Sequence, residues 1–591
     1  MNIKGKIVID SKDIAESANS FFANVGQVTE KDIPKVKNVS PERFLKNRNQ
    51  FNFIIAHISN DEVLDIIKSL PNKATGPISI PLNLLHIIAD IIVFPLCHII
   101  NTSFSSGIFP EILKVAKVLP FHKGGSTQDL NNFRPISLLS VFDKIIEKIM
   151  HKRLYEFLEY HDILLENQFG FRKKNSTIYA LIEITERIKE SIDNGKFGCG
   201  IFIDLKKAFD TVNHKILLTK LEHYGIRNEI FKWFESYLTG RKQYVFFNGE
   251  SSDLKEITCG VPQGSVLGPL LFLIYINDLP NISQKLKFFL FADDTNLYFE
   301  SKDLRNMEKI INKELEQLNL WLNVNRLALN ISKTNFVIFS ACNKPIRHNV
   351  TLKINKKAIL QKDHIKYLGI MIDNHLNWKK HIFNMSKKIS RSIGIMYKLR
   401  EFMDTKMLLN IYYSLIYSHI VYAIQVWGSA CDTEINKLLL LQKKAVRMMT
   451  NNDKYPPVPG PLAPSNPIFR ELGILKIKDI FKLSVAKFIF SCLTSHTPPI
   501  FHDWFILNHT VHNYNTTSST IINMTNHFEI DNITRTNLLH TKYSRLVNYG
   551  SKMLKVAGPL LWNSLPAHIR HAQSVYSFKN LLKKFFINQY E

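Results

Sequence analysis

The stretch KFFLFADDTNLYF, residues 287–299, places two adjacent aspartates between two runs of aromatic and branched side chains. Such runs are typical of paired β-strands, so the stretch predicts a hairpin with Asp293 and Asp294 at its tip. Neighbouring side chains on a strand point to opposite faces, and their like charges repel, so a tight turn that holds both acids favours a bound divalent cation. A polar turn without a metal is the alternative, because Asp is a common turn residue.

A third aspartate, Asp204, ends another short apolar run, GIFIDL at residues 200–205. Magnesium prefers hard oxygen ligands, and carboxylates at the ends of neighbouring strands can supply them. Two such ions can activate an attacking hydroxyl and stabilise the entering and leaving oxygens of phosphoryl transfer. The three acids therefore predict a two-metal site, with Asp204 and Asp293 as principal ligands and Asp294 as the third carboxylate.

The composition is that of a globular protein with a strong basic excess. Of 591 residues, 45% are hydrophobic and 21% are charged, and 76 basic against 51 acidic residues give a net charge of +25. This charge favours a polyanionic partner such as nucleic acid, although a membrane surface or a ribosome would also suit it. The sequence shows no signal peptide and no apolar stretch long enough for a membrane span, so we expect no membrane partner.

Six cysteines lie far apart without any C-x-x-C pair, which argues against a zinc finger or a disulfide framework. They are expected to be reduced thiols in an intracellular protein of the nucleus or cytoplasm, one that is not secreted.

Periodicity predicts how the chain is organised. A helix is expected at 11–24, and alternating strands and helices from 197 to 372 predict an α+β domain, its antiparallel sheet covered by helices on one side. Beyond Trp378 the pattern is almost wholly helical, with basic clusters at 379–400 and 443–447 that suit either solvated faces or a nucleic-acid groove. A Pro-rich linker is expected at 456–467 and a polar loop at 508–526.

Between the acidic strands lies GVPQGSVLGP, residues 260–269, whose glycines would let the backbone approach a nucleotide or template closely. The order of acid strand, Gln-Gly loop and paired-Asp hairpin resembles reverse transcriptases, most closely those of non-LTR (LINE-type) retrotransposons of the jockey-like group. Further segments carry the same resemblance: NFRPISLL at 132–139, QFGFR at 168–172, AFD at 208–210, NISKT at 330–334 and KYLGI at 366–370.

The resemblance implies a right-hand polymerase fold with a mainly helical C-terminal region. The expected divisions are an N-terminal helical segment and linker (1–58), fingers (59–196), a palm with the polymerase active site (197–372), a helical thumb (373–455) and the C-terminal region (456–591). Members of the group usually begin with an endonuclease domain, and the short segment before the fingers leads us to expect a chain without one.

The resemblance also implies roles for individual residues. Asp204, Asp293 and Asp294 would be catalytic metal ligands, and Lys333 would protonate the leaving pyrophosphate. The expected substrate contacts are Phe209 against the 2′-hydroxyl position, Gln263 and Gly264 against the template base and nascent pair, and Lys123 and Arg134 on the triphosphate. The simpler alternatives are a core phenylalanine, a helix-entry turn and solvated surface cations.

The activity implied is RNA-directed DNA synthesis, in which a DNA primer is extended on an RNA template from deoxynucleoside triphosphates with two Mg²⁺ ions, for which Mn²⁺ can substitute. Two alternatives stay open at this point. One is an inactive, truncated retroelement remnant that only binds RNA, and the other is a polymerase similar to intron maturases, which the absence of a recognisable maturase or nuclease module disfavours.

Overall fold

The computed structural model describes residues 2–3, 6–46, 48–71, 76–77, 80–450, 464–508 and 538–590. Most of the predicted linker at 456–467 and of the predicted loop at 508–526 lies outside these residues.

Strands are confined to the first two thirds of the described chain, and the last third is helical. The strands are β1 (Asn2–Ile3), β2 (Lys6–Ile7), β3 (Val115–His122), β4 (Phe133–Leu138), β5 (Phe197–Ile203), β6 (Lys242–Phe247), β7 (Glu250–Ser251), β8 (Lys255–Glu256), β9 (Lys287–Phe291), β10 (Asp294–Ser301), β11 (Asn335–Phe339), β12 (Lys353–Ile354), β13 (Lys357–Ala358), β14 (Leu360–Gln361), β15 (His364–Tyr367) and β16 (Ile370–Asp373).

The helices follow the amphipathic and apolar segments of the sequence. They are α1 (Ser11–Lys31), α2 (Asn60–Lys68), α3 (Leu82–Ile87), α4 (Ala89–Ser106), α5 (Val141–Tyr160), α6 (Thr177–Asp193), α7 (His214–His223), α8 (Asn228–Leu238), α9 (Leu267–Ile276), α10 (Leu304–Val324), α11 (Lys379–Leu399), α12 (Thr405–Tyr412), α13 (Ser418–Val421), α14 (Ile424–Trp427), α15 (Asp432–Met449), α16 (Ser465–Glu471), α17 (Ile477–Leu493), α18 (Leu554–Asn563), α19 (Ala567–Arg570) and α20 (Val575–Asn588).

A five-stranded sheet in the order β14-β11-β5-β10-β9 forms the centre of the palm. Its strands pair antiparallel except β11 and β14, which are parallel. Ile201 on β5 belongs to the core shared with α7 to α10, whereas the next residue, Phe202, belongs to the core shared with α6 and the C-terminal helices. The prediction that helices cover one side of this sheet is therefore wrong, because both faces are apolar and both are buried.

A second sheet, in the order β4-β3-β6-β7, joins β3 and β4 of the predicted fingers to β6 and β7, which fall within the bounds predicted for the palm. We call it the fingers sheet, and in it β3 pairs antiparallel with β4 and parallel with β6. Helix α1 packs across β6 through one apolar face that includes Ala15, Ala18 and Phe22. The helix extends to Lys31, beyond the end predicted at residue 24, since the polar residues after that position continue its exposed face.

The last third of the described chain is a set of packed helices, in which α11 contacts α15 and α17 contacts α18 and α20. All six cysteines are free thiols, which confirms that they form no disulfide framework. Among the described residues, no helix has both the length and the apolar character that a membrane crossing requires.

A fully buried ion pair joins three helices beneath the palm. The Lys220 ammonium on α7 contacts an Asp278 carboxylate oxygen at 2.6 Å, and both side chains are 0% exposed. The other Asp278 oxygen accepts a hydrogen bond from Trp321 Nε1 on α10 at 3.1 Å, and Lys220 also donates to the Tyr275 carbonyl at 2.5 Å. Because every charged atom has a partner, the pair fixes α7, α9 and α10 relative to one another.

We expect Asp278→Ala to lower the free energy of unfolding by about 3–5 kcal/mol, because the substitution leaves the Lys220 ammonium buried without a counter-charge. Chemical denaturation followed by tryptophan fluorescence measures the change. Asp432→Ala is the matched control, since its pair with Lys478 is exposed on both sides. Equal midpoints for the two variants would contradict the structural importance of the buried pair.

Candidate active site

The register of the palm sheet brings the predicted acids together. Strand β10 pairs with β9 through Asp294 and Phe291, which leaves residues 292–293 as the turn of the hairpin. On its other side β10 pairs with β5 through Thr295 and Ile203. One further step along this antiparallel register places Asp204 opposite Asp294, with Asp293 at the adjoining turn.

The turn itself is strained and is supported from outside the hairpin. Ala292 has a φ of +56°, in the left-handed region that costs a residue with a side chain about 1–3 kcal/mol. The buried amide oxygen of Gln168 accepts hydrogen bonds from the backbone N–H groups of Ala292 at 3.1 Å and Gly170 at 2.8 Å. The Phe169 N–H donates to the Leu290 carbonyl at 2.8 Å, so the segment before the palm holds the aspartate hairpin in place.

Burial, and after it the charges of neighbouring carboxylates, disfavour the ionised forms of the two hairpin acids, Asp293 and Asp294. Loss of solvent around the carboxylate, followed by the charges of Asp293 and Asp204, raises the pKa of Asp294 to about 6. Burial is also the main cause that raises the pKa of Asp293, to which the charge of Asp204 adds, while its own backbone N–H and the Arg134 guanidinium act in the opposite direction. A cluster of oxygen ligands with mutual repulsion suits a hard divalent cation.

Asp204 is held by the segment that follows α10. The Asn330 side chain donates to its carboxylate at 2.8 Å, and the Asn330 backbone N–H donates to its carbonyl at 2.8 Å. Its own N–H donates to Thr334 Oγ1 at 3.3 Å. Within the described residues, no group of three His, Cys, Asp or Glu side chains is arranged closely enough to hold a metal ion without rearrangement.

A cleft of about 790 Å³ joins these acids to the fingers. Its lining includes seven of the nine predicted site residues, namely Asp204, Asp293, Lys333, Lys123, Arg134, Phe209 and Gln263. Asp294 instead lines a neighbouring pocket, together with Asp204, Lys333, Lys366 and Tyr367. The two pockets share Asp204 and Lys333, so the acidic cluster lies where they meet.

The ninth predicted residue, Gly264, lies behind the cleft wall. Its φ is +130°, and any side chain there would collide with the Ser137 carbonyl of β4. The Ser137 N–H donates to the Gln263 carbonyl at 2.8 Å, which anchors the Gln-Gly loop to the fingers sheet. The structure therefore gives Gly264 a packing role and leaves Gln263 to reach into the cleft.

Phe209 and Gln263 are joined through a residue to which the sequence analysis gave no role. The Phe209 ring stacks on Phe272 of α9 with centroids 4.5 Å apart. The next residue, Asp210, accepts a 2.7 Å hydrogen bond from Gln263 Nε2. Burial raises the pKa of Asp210 to about 6, although the Gln263 hydrogen bond opposes this shift. The sequence shows an acid next to Phe209, but it does not show that this acid pairs with Gln263, which lies 53 residues further along the chain.

Comparisons with known proteins agree with this geometry. Residues 121–372 match the family described as reverse transcriptase (RNA-dependent DNA polymerase). The RNA-directed DNA polymerase from mobile element jockey of Drosophila melanogaster is 28% identical over 431 residues, which cover 70% of this chain and 46% of that protein. The probable RNA-directed DNA polymerase from transposon BS of the same organism is 30% identical over 429 residues, or 69% of this chain and 46% of that protein.

Among solved structures, telomerase from Candida albicans aligns with a TM-score of 0.35 and 12% identity, over 62% of this chain and 68% of that one. The chain spans less than half the length of the two Drosophila relatives. The family match covers β4, the Gln-Gly loop and the aspartate hairpin, which confirms the resemblance predicted from the motifs. Residues 121–372 therefore form a reverse transcriptase domain similar to those of non-LTR retrotransposons.

Proposed function

We propose that the chain is an RNA-directed DNA polymerase that extends a DNA primer on an RNA template. The observation that carries this proposal is the cleft that combines Asp204 and Asp293 with basic fingers residues, Phe209 and Gln263. A reaction that transfers a nucleotidyl group needs carboxylates for metal, cations for the triphosphate and a wall for the sugar and base, and this cleft offers all three. The primer 3′-hydroxyl attacks the α-phosphate, and pyrophosphate leaves.

The cations of the cleft suit the triphosphate. Arg134 lies on β4, and Lys123 follows β3, where its N–H donates to the Asn132 carbonyl at 2.9 Å. Both side chains are exposed, so their donors are open to a ligand. We assign them to the phosphates, because Arg offers a planar fork and Lys a point charge to phosphate oxygens. Lys333, which is exposed and also lines the cleft, would supply the proton that pyrophosphate takes up on leaving.

The acids would hold the metal. In this proposal Asp204, Asp293 and Asp294 bind Mg²⁺, for which Mn²⁺ can substitute. Burial first, and the neighbouring carboxylate charges second, raise the pKa of Asp293 and of Asp294, and a bound cation would stabilise their ionised forms. When bound, two such ions supply charge neutralisation and a lowered pKa for an attacking hydroxyl. Asn330 contributes by fixing the Asp204 carboxylate, and Gln168 by fixing the turn before Asp293.

The remaining residues of the two pockets would position the incoming nucleotide and the nucleic-acid strands. Phe209, stacked on Phe272, closes the cleft where the sugar of the incoming nucleotide would lie, and Gln263 faces the nascent pair. The second pocket, which contains Asp294, Lys366 and Tyr367, adjoins the β15–β16 hairpin and suits the primer backbone. We propose the fingers, palm and thumb at 59–196, 197–372 and 373–455, with RNA template, DNA primer and deoxynucleoside triphosphates as ligands.

We expect Asp293→Asn to reduce primer extension on an RNA template by at least about 10³-fold, because a neutral amide cannot replace a charged oxygen ligand. Extension of a labelled DNA primer with Mg²⁺ measures the effect. Glu250→Gln, an exposed acid on β7, is the control and should retain full activity. A wild-type protein that binds RNA but extends nothing would reject the polymerase assignment, as would equal extension by the two variants.

The ionised carboxylate of the buried Asp210 should destabilise the folded protein. Because burial raises the pKa of Asp210 from 3.8 to about 6, the folded protein loses stability as the pH rises from about 3.8 to about 6, and the loss is complete above 6. We expect Asp210→Asn to raise the free energy of unfolding by up to about 3 kcal/mol at pH 8, a gain that shrinks as the pH falls below 6.

The same substitution should lower primer extension about ten-fold, since Gln263 loses a charged acceptor worth about 1.5 kcal/mol. Denaturation at several pH values and extension assays measure the two effects. A variant with unchanged stability at pH 8, or with a gain that does not vary with pH, would contradict the raised pKa.

Gln168 should act as a positioning residue. Gln168→Leu removes the acceptor for the Ala292 N–H, so we expect kcat to fall at least about ten-fold while KM for the nucleotide stays within two-fold. The matched control is Gln442→Leu, because Gln442 is also a buried glutamine whose amide oxygen accepts from a backbone N–H, that of Ile477 in α17. Both variants should be less stable, and an equal loss of kcat in the two would show that Gln168 acts through stability alone.

A further inference from the structure

Helix α1 lies outside the segment that matches the reverse transcriptase family, yet it borders the candidate active site. Its N-terminal half is anchored beside the fingers sheet, where Asn19 Nδ2 donates to the carbonyl of Asp253, between β7 and β8, at 2.7 Å. Its C-terminal half is anchored to the palm, where Glu30 lies 3.7 Å from Arg326 Nε and accepts from the Asn213 amide at 3.4 Å. The helix therefore bridges the two sides of the cleft.

Gly26 brings α1 close to the backbone of the site. A Cβ atom on this residue would lie 2.5 Å from the Asp210 carbonyl and would also collide with the Cys259 thiol. One residue further on, Gln27 Nε2 donates to Thr258 Oγ1 at 2.6 Å. The absence of a side chain at Gly26 lets α1 lie directly against the segments that carry Phe209 and Gln263.

Two residues on the same part of the helix face the cleft. Val25 and Thr29 line it together with Phe209, Gln263 and Asp204. The Thr29 hydroxyl donates to the Val25 carbonyl at 2.7 Å, so its hydrogen is already used within the helix. This part of the wall therefore offers chiefly apolar contact, which suits a sugar and base and not a phosphate.

We propose that α1 forms part of the nucleotide-binding site, with Val25 and Thr29 in contact with the sugar and base side of the incoming deoxynucleoside triphosphate. This inference rests on the proposed polymerase function and adds a substrate contact from the N-terminal helix. The cations Lys123 and Arg134 take the phosphates, and α1 limits the width of the cleft at the end that carries Phe209 and Gln263.

The test compares two valines on one helix. Val25 lines the cleft, whereas Val28 is 59% exposed and is not among the residues that line it. We expect Val25→Trp to raise KM for the nucleotide at least about ten-fold, with the dissociation constant for the template–primer unchanged. Val28→Trp should match the wild type in both. Thermal unfolding checks that both variants fold. If Val25→Trp does not fold, Val25→Ala takes its place, with a smaller expected rise in KM of about two- to three-fold.

Nucleotide binding is also measured without catalysis, on a complex with a dideoxy-terminated primer. Equal nucleotide affinity in the Val25 and Val28 variants would overturn the proposal, as would a Val25→Trp variant that loses only template–primer affinity. A wild-type protein that binds the nucleotide but extends no primer would reject the polymerase function and leave the comparison of the valines valid. A wild-type protein that neither binds the nucleotide nor extends a primer would reject both the polymerase function and the nucleotide contact of α1.

Discussion

The repulsion among three carboxylates is the constraint on which the rest of the candidate active site depends. Asp204 and the hairpin acids lie together only because β5 and β10 pair in one register, and a shift by one residue would turn every side chain of β10 to the other face of the sheet. The apolar packing on both faces of that sheet fixes the register, since each face is buried in its own core. Hydrophobic packing thus holds charges where electrostatics alone would separate them.

The chemical parts of the site are predictable from local sequence. The hairpin at 287–299 is recognisable because runs of aromatic and branched residues flank a two-residue turn, and the Gln-Gly loop because glycine marks close backbone approach. The structure places seven of the nine predicted residues in one cleft. An acid at the end of a strand is a local sequence pattern, so it can be recognised without knowledge of the tertiary fold.

Other features needed contacts that no local pattern encodes. Gln168 reads as an ordinary polar residue in a turn, and only the tertiary structure shows its amide oxygen on the N–H of Ala292, 124 residues away. Asp210 becomes a buried acid only because Gln263 and α1 cover it. The second covered face of the palm sheet likewise depends on helices that follow residue 378, far from the strands that they cover.

Helix α1 and the Gln-Gly loop show how closely stability and function are connected around the cleft. Both approach a neighbouring element through a glycine at which a side chain would meet backbone atoms, Gly26 against Asp210 and Gly264 against Ser137. Backbone atoms cannot move aside as a side chain can, so each contact fixes the distance between two elements. The width of the cleft is then set by rigid contacts between the N-terminal helix, the fingers sheet and the palm. A substrate that fits between them meets walls whose positions were determined during folding, and little ordering of the protein is left for the binding step.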